Sequence, residues 1–128
     1  MPSSAGSKRS VASSEAGSAT VEFALLVPII LLLIVAMAEI AVIGRAQLEV
    51  INSAREGARV AAVNPEPADA VEVVHELVGD QARVAVTRPQ VVGEPAVVRV
   101  SVHHDVLPFI FGGAAIDLSA TASMRVER

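Results

Sequence analysis

A carboxylate at the threshold of an apolar run is the most chemically informative feature of this chain of 128 residues. Glu22 stands one step before the stretch Phe23 to Ile43, whose only charge is Glu39, and Gly17 stands five residues before Glu22. Carrying a carboxylate to the centre of a bilayer costs about 2.5–3.5 kcal/mol, so Glu22 calls for a partner for its charge. Hydrolysis of the peptide bond after Gly17 would create one, because the new α-amino group of Ser18 is a cation near Glu22 on the same chain or on a neighbouring copy. The chemistry read from this spacing is proteolytic processing followed by an amine–carboxylate pairing. Gly17, Ser18, Glu22 and Phe23 are the candidate processing site.

The other reactive residue types form no comparable pattern. His103-His104-Asp105 has the composition of a metal site, but adjacent residues of a strand point to opposite faces, so the two imidazoles cannot share an ion without a bulge. His75 lies alone on a short helical segment, and no serine sits in a nucleophile-elbow pattern. No glycine loop is built to cradle phosphate. Cysteine is absent, which excludes disulfides and thiolate zinc sites. No metal, cofactor or enzymatic activity is expected: the chain reads as the substrate of an enzyme. A formal net charge of −4, with Lys8 the single lysine, gives no basic footprint for nucleic acid.

The elements that hold these residues follow from periodicity. Met1 to Gly17 is rich in Ser, Ala and Gly and lacks apolar period, so a disordered polar leader is expected. Residues 18–43 provide the roughly twenty apolar residues a helix needs to cross the hydrocarbon, with Pro28 placed to bend or weaken its first turns. The helix should continue beyond the membrane. Arg45, Glu49, Asn52, Glu56 and Arg59 recur at steps of four and three as one polar stripe, while Ala46, Val50, Ala54, Gly57 and Ala61 repeat the same steps on another face. Small residues let backbones approach closely. Ala54, Gly57 and Ala61 are therefore the candidate helix-packing residues, with the chain's own core favoured over a contact in a filament. Asn64-Pro65-Glu66-Pro67 ends the helix.

A second helix is expected over Ala68 to Val78, with Ala70, Val71, Val74, Leu77 and Val78 as its apolar side and Gly79 as its terminator. The period then changes to two. Val84 and Val86, then Val98, Val100 and Val102, then Leu118, Ala120, Ala122, Met124 and Val126 mark the inward faces of three strands. Leu107 to Phe111 between the last two is too apolar for an ordinary exposed loop and is expected to cover the core's open end. The fold class is α+β: a long N-terminal transmembrane helix extended out of the membrane, a short second helix and a small three-stranded antiparallel sheet. Hydrophobic residues make up 52% of the chain and aromatics 2%, so its core is built of Val, Ala, Leu and Ile and is thin.

Three segments resemble a known family. Gly17 with Glu22-Phe23 resembles the type IV prepilin processing motif of the tight-adherence (Flp, type IVb) branch. Ala54-Arg55-Glu56-Gly57-Ala58-Arg59-Val60-Ala61-Ala62 is similar to the "AREGARxAA" segment of TadE-like pilus assembly proteins, and Leu118 to Glu127 to their closing strand. The resemblance implies a leader at 1–17 removed by a prepilin peptidase on the cytoplasmic face, a transmembrane helix at 18–43 and an extracytoplasmic pilin-like domain at 44–128. It implies a minor pseudopilin or assembly component, with the membrane, that peptidase and other pilin-like proteins as partners. Charge alone does not orient the helix, since Lys8 and Arg9 are balanced by Arg45, Arg55 and Arg59. Two other readings stand beside it. Ala36-Met37-Ala38 fits a signal peptidase site that would release a soluble domain starting at Glu39, against which Glu15 and Glu22 bring the wrong charge to the apolar run. An unprocessed single-pass membrane protein is the third.

Overall fold

The computed structural model describes residues 8–106 and 113–127, with side chains from residue 17 onward. Five elements follow in order: α1 (Lys8–Val63), α2 (Pro67–Val78), β1 (Arg83–Thr87), β2 (Pro95–Asp105) and β3 (Ala115–Arg125). The chain divides into two compact units, Met1–Ala38 and Glu39–Arg128. α1 contributes to both.

In the first unit α1 begins ten residues ahead of the apolar run's Ser18, and Lys8 to Gly17 is helical where a disordered leader was expected. The reason is cooperativity. Once the apolar run is helical, each added residue costs one pair of dihedrals and gains one hydrogen bond, and the intervening Ser, Ala, Val and Glu residues contain no breaker before Gly17. The leader's first seven residues lie outside the described residues. Pro28 sits inside α1, which continues through it.

In the second unit α1 supplies one wall of the core. Val50, Ala54, Ala58, Ala61 and Ala62 are buried, and Arg45, Glu49, Asn52 and Arg59 are exposed on the other side, as the two stripes predict. Ser53 is the one buried polar residue described, and its Oγ donates back to the Val50 carbonyl at 2.9 Å, which satisfies it inside its own helix. α2 starts one residue earlier than the sequence indicates, with Pro67 in the first turn where a missing N–H costs nothing. It buries Ala70 and Val74, with Val71 and Val78 half-buried. Leu77 is a correction, being 54% exposed. It shares the helical phase of Ala70, seven residues earlier, but sits in the last turn of a short helix, at the margin of the core. Gly79 ends α2 at φ 91°, donating to the His75 carbonyl at 2.8 Å.

The sheet is antiparallel in the order β1-β2-β3. Its register pairs Val84 with Val100 and Val86 with Val98 on one side, and Val98 with Ala122, Val100 with Ala120 and Val102 with Leu118 on the other. All the inward residues named from the period-two pattern thus share one face. Val98 and Val100 are wholly buried, and full burial of such a side chain is worth about 1.5–3 kcal/mol. Met124 is a second correction: it has the right parity but is 41% exposed on the edge strand β3, although its partner Ala96 is buried. Val126 stays buried just past β3. The Leu107 to Phe111 segment lies outside the described residues.

The end of α1 is closed by the sheet. The last carbonyls of a helix have no partner within it. Here the Val60 carbonyl takes the Asn64 N–H at 2.8 Å, the Ala61 carbonyl takes Arg88 Nε at 2.7 Å and the Ala62 carbonyl takes the Glu127 N–H at 2.9 Å. Farther up, Gln47 Nε2 donates to the Ser119 carbonyl at 3.0 Å. The loop after β1 and the chain after β3 are in this way tied to the helix they cover.

Candidate functional site

The candidate processing site lies on the exposed surface of α1. Gly17, Ser18, Glu22 and Phe23 are all exposed, Phe23 to 64%. Residues four apart share a helix face, and the Ser18 hydroxyl donates to Glu22 Oε1 at 3.4 Å. That contact matters for the chemistry read from the sequence. If the chain is cut after Gly17, Ser18 becomes the first residue and Glu22 falls in the first turns, where a carboxylate complements both the helix dipole and the new α-amino group. A glycine before the scissile bond also weakens the helix by about 1 kcal/mol relative to alanine, which eases the local unwinding a protease needs.

The helix that follows is apolar all round and uncovered. Leu31 (56%), Leu32 (53%) and Leu33 (61%) follow one another around α1 and so point to different sides, and every one is exposed. A helix with no polar face belongs in a membrane or inside a core, and no part of the most apolar window is buried. Within Gly17–Val63 the helix is long and apolar enough to cross a membrane.

Ala54, Gly57 and Ala61 are used inside the second unit. Ala54 and Ala61 are fully buried, and a Cβ built on Gly57 would lie 2.7 Å from Val74 Cγ2 and 3.2 Å from Val98 Cγ1. The small residues therefore let α1 meet α2 and β2 at close range, and this face is occupied by the chain itself. On the outer side of the same turn Arg59 bonds to Glu56. Hydrogen bonding to the guanidinium lowers the Glu56 carboxyl below its ordinary range, burial opposes this and the charge of Arg59 adds to it; Arg59 is raised by the same bond and then by the charge of Glu56, with burial opposing.

The histidines fall where strand geometry requires. His103 is exposed with Nδ1 2.9 Å from Asp117 Oδ1, its cross-strand partner in register, while His104 is half-buried on the other face. His75 Nε2 lies 3.1 Å from the Ala82 carbonyl. Among the described residues, no group of three His, Asp or Glu is placed to hold a metal.

Two surfaces of the second unit were not singled out by motif. One is an open cleft along α2 lined by Ala68, Val71, Glu72, His75, Glu76 and Asp80. The other is the outer face of the sheet, where Arg99 lies across β3 with Nε 3.3 Å from Thr121 Oγ1. A count of charge by segment would have found the first, since no Lys or Arg occurs between Arg59 and Arg83.

No curated protein and no solved structure matches the chain. A family model does: that of TadE-like protein, over residues 17–59, about a third of the chain. The match opens on the glycine of the processing motif, runs through the apolar helix and ends at Arg59 in the buried Ala54–Ala62 segment, and it is to the same TadE-like family that the sequence segments resemble.

Proposed function

We propose that this chain is a pilin-like structural or assembly component of a tight-adherence pilus, processed by a prepilin peptidase after Gly17. The observation that carries the reading is the start of the family match at Gly17, directly upstream of Glu22-Phe23 and an uncovered apolar helix. In this reading the N-terminus lies in the cytoplasm and the helix crosses the membrane once. The unit of α2 and the sheet stands outside, where other pilus components meet it. The helix is retained after processing, and the Ser18 amine and Glu22 carboxylate neutralise each other at its entrance.

A second reading has one observation in its favour. The second compact unit begins at Glu39, directly after Ala36-Met37-Ala38, so cleavage there by signal peptidase would leave that unit whole. The mature N-terminus in the native host separates the two. Intact-mass measurement or N-terminal sequencing is expected to find Ser18, and deletion of the prepilin peptidase to return the chain to Met1 or Pro2. A mature chain beginning at Glu39 overturns the pilin reading, because a filament core would have no helix to pack.

A further inference from the structure

The two layers of the second unit leave two outer surfaces of opposite character. α1 and α2 cover the inward face of the sheet, so the outward face has no partner among the described residues. Its floor is of short side chains, with Ala85, Val97, Ser101, Ser119, Thr121 and Ser123 surrounding the exposed Arg99. Arg83 and Arg125 continue a basic diagonal across it. Arg83 pairs with Ser101, and Arg125 with Pro95, six positions along β2, so the row is roughly 20 Å long at the rise of a strand. None of the three arginines forms an ion pair among the described residues. The sheet's own acids, Asp105 and Asp117, are gathered around His103 at the Arg83 end, where Arg83, His103 and Asp117 line one cleft, while Arg99 and Arg125 lie away from them.

On the opposite side of the unit the outer face of α2 is acidic. Ala70 and Val74 point into the core, which places Glu72 and Glu76 directly outward, and Asp80 follows past the helix end. These three carboxylates also form no ion pair among the described residues, and from Glu72 to Asp80 they extend about 12 Å at the rise of a helix. They line the cleft whose remaining walls are Ala68, Val71 and His75. A long basic side chain that exchanges its weak 3.3 Å bond to Thr121 for two carboxylates can reach such a cleft from a floor of short residues. The two rows are opposite in sign, and they lie on opposite sides of one unit.

We infer that the outer sheet face of one copy docks on the outer face of α2 of a second copy, with Arg99 entering the cleft between Glu72 and Glu76. Because the two surfaces differ, the contact is heterologous: each copy that joins presents a fresh surface, and association runs on without closing into a symmetric dimer. The inference uses only the unit Glu39–Arg128 and does not depend on the pilus reading or on where the leader is cut. Docking driven by exposed charges weakens with salt.

Disulfide cross-linking tests it cleanly, because the chain has no cysteine. Full-length protein in detergent micelles carrying both Ser101→Cys and Ala68→Cys is expected to give a ladder of dimers, trimers and longer species at low salt, reduced at least several-fold at 1 M salt. Each single-cysteine variant should give little dimer. Adding Arg99→Glu or Glu76→Arg to the double-cysteine chain should abolish the ladder, and adding both should restore it. Circular dichroism and melting of each variant establish that it folds. A ladder indifferent to both charge reversals and salt overturns the inference. So does efficient cross-linking of Ser101→Cys to itself, which would show a symmetric sheet-to-sheet pair. Cross-linking of Ser101→Cys in host membranes to a different protein, with no ladder, would assign the sheet face to another subunit.

Discussion

The two glycines of α1's second half differ only in what surrounds them. At Gly57 an added methyl group meets Val74 Cγ2 at 2.7 Å and Val98 Cγ1 at 3.2 Å; at Gly44 nothing lies within 4 Å. Overpacking a core typically costs about 1–3 kcal/mol, and replacing helical glycine with alanine returns about 1 kcal/mol. Gly57→Ala is therefore expected to lose about 1 kcal/mol net, Gly57→Leu several, and Gly44→Ala to gain up to about 1. Urea unfolding of the full chain in detergent measures all three. If Gly57→Ala proves no less stable than Gly44→Ala, α1 does not approach α2 and β2 as closely as described. The glycine's place in a stripe of small residues was legible in the sequence. Which partner needed it small was not, since a stripe of alanines serves a neighbouring helix and an internal sheet equally well.

At the scale of elements, the strands were readable because apolar and polar residues alternate along them. Val84 and Val86 on β1, Val98 and Val100 on β2 and Leu118 on β3 all face the helices, and Arg83, Ala85, Arg99 and Ser119 face away. Val100 is fully buried and pairs with Val84 and Ala120, whereas Ser101 beside it lies on the outer face. Val100→Asp places an uncompensated carboxylate among apolar side chains and is expected to destabilise the unit by several kcal/mol. Ser101→Asp should change stability by less than about 0.5 kcal/mol, being a surface substitution. Limited proteolysis ranks the two, and the reverse order would mean a register shifted by one residue. The pattern failed at Leu77 and Met124, where helical phase or parity is right but the side chain lies at the margin of the core, on the last turn of a short helix and on an edge strand.

For the whole molecule the decisive residue is Glu22, since the proposed function makes it the link between processing at one end and assembly. Glu22→Ala removes the carboxylate that would face the Ser18 amine and leaves the apolar run untouched. The variant is expected to fractionate with membranes as the parent does, while its recovery with other pilus proteins falls. Unchanged recovery would show that the pairing plays no part in assembly. An N-terminus still at Met1 would show that the peptidase reads the same residue.

Sequence alone determined the element order, the position and apolarity of the membrane helix, the stop at Asn64-Pro65 and the inward valines. These follow from local rules: hydrophobic period, span length and the geometry of proline and glycine. The proposed processing motif is local in the same way, being a fixed spacing of glycine, carboxylate and apolar run within one segment. Tertiary structure decided what lies between segments. It gave Arg88 and Glu127 the task of closing the last turn of α1, through bonds to Ala61 and Ala62 that span 27 residues in the first case. It also set the acids of α2 and the arginines of the sheet on opposite sides of one unit. Both outcomes depend on which elements pack together, and a one-dimensional pattern of charge carries no record of which faces meet until the chain has folded.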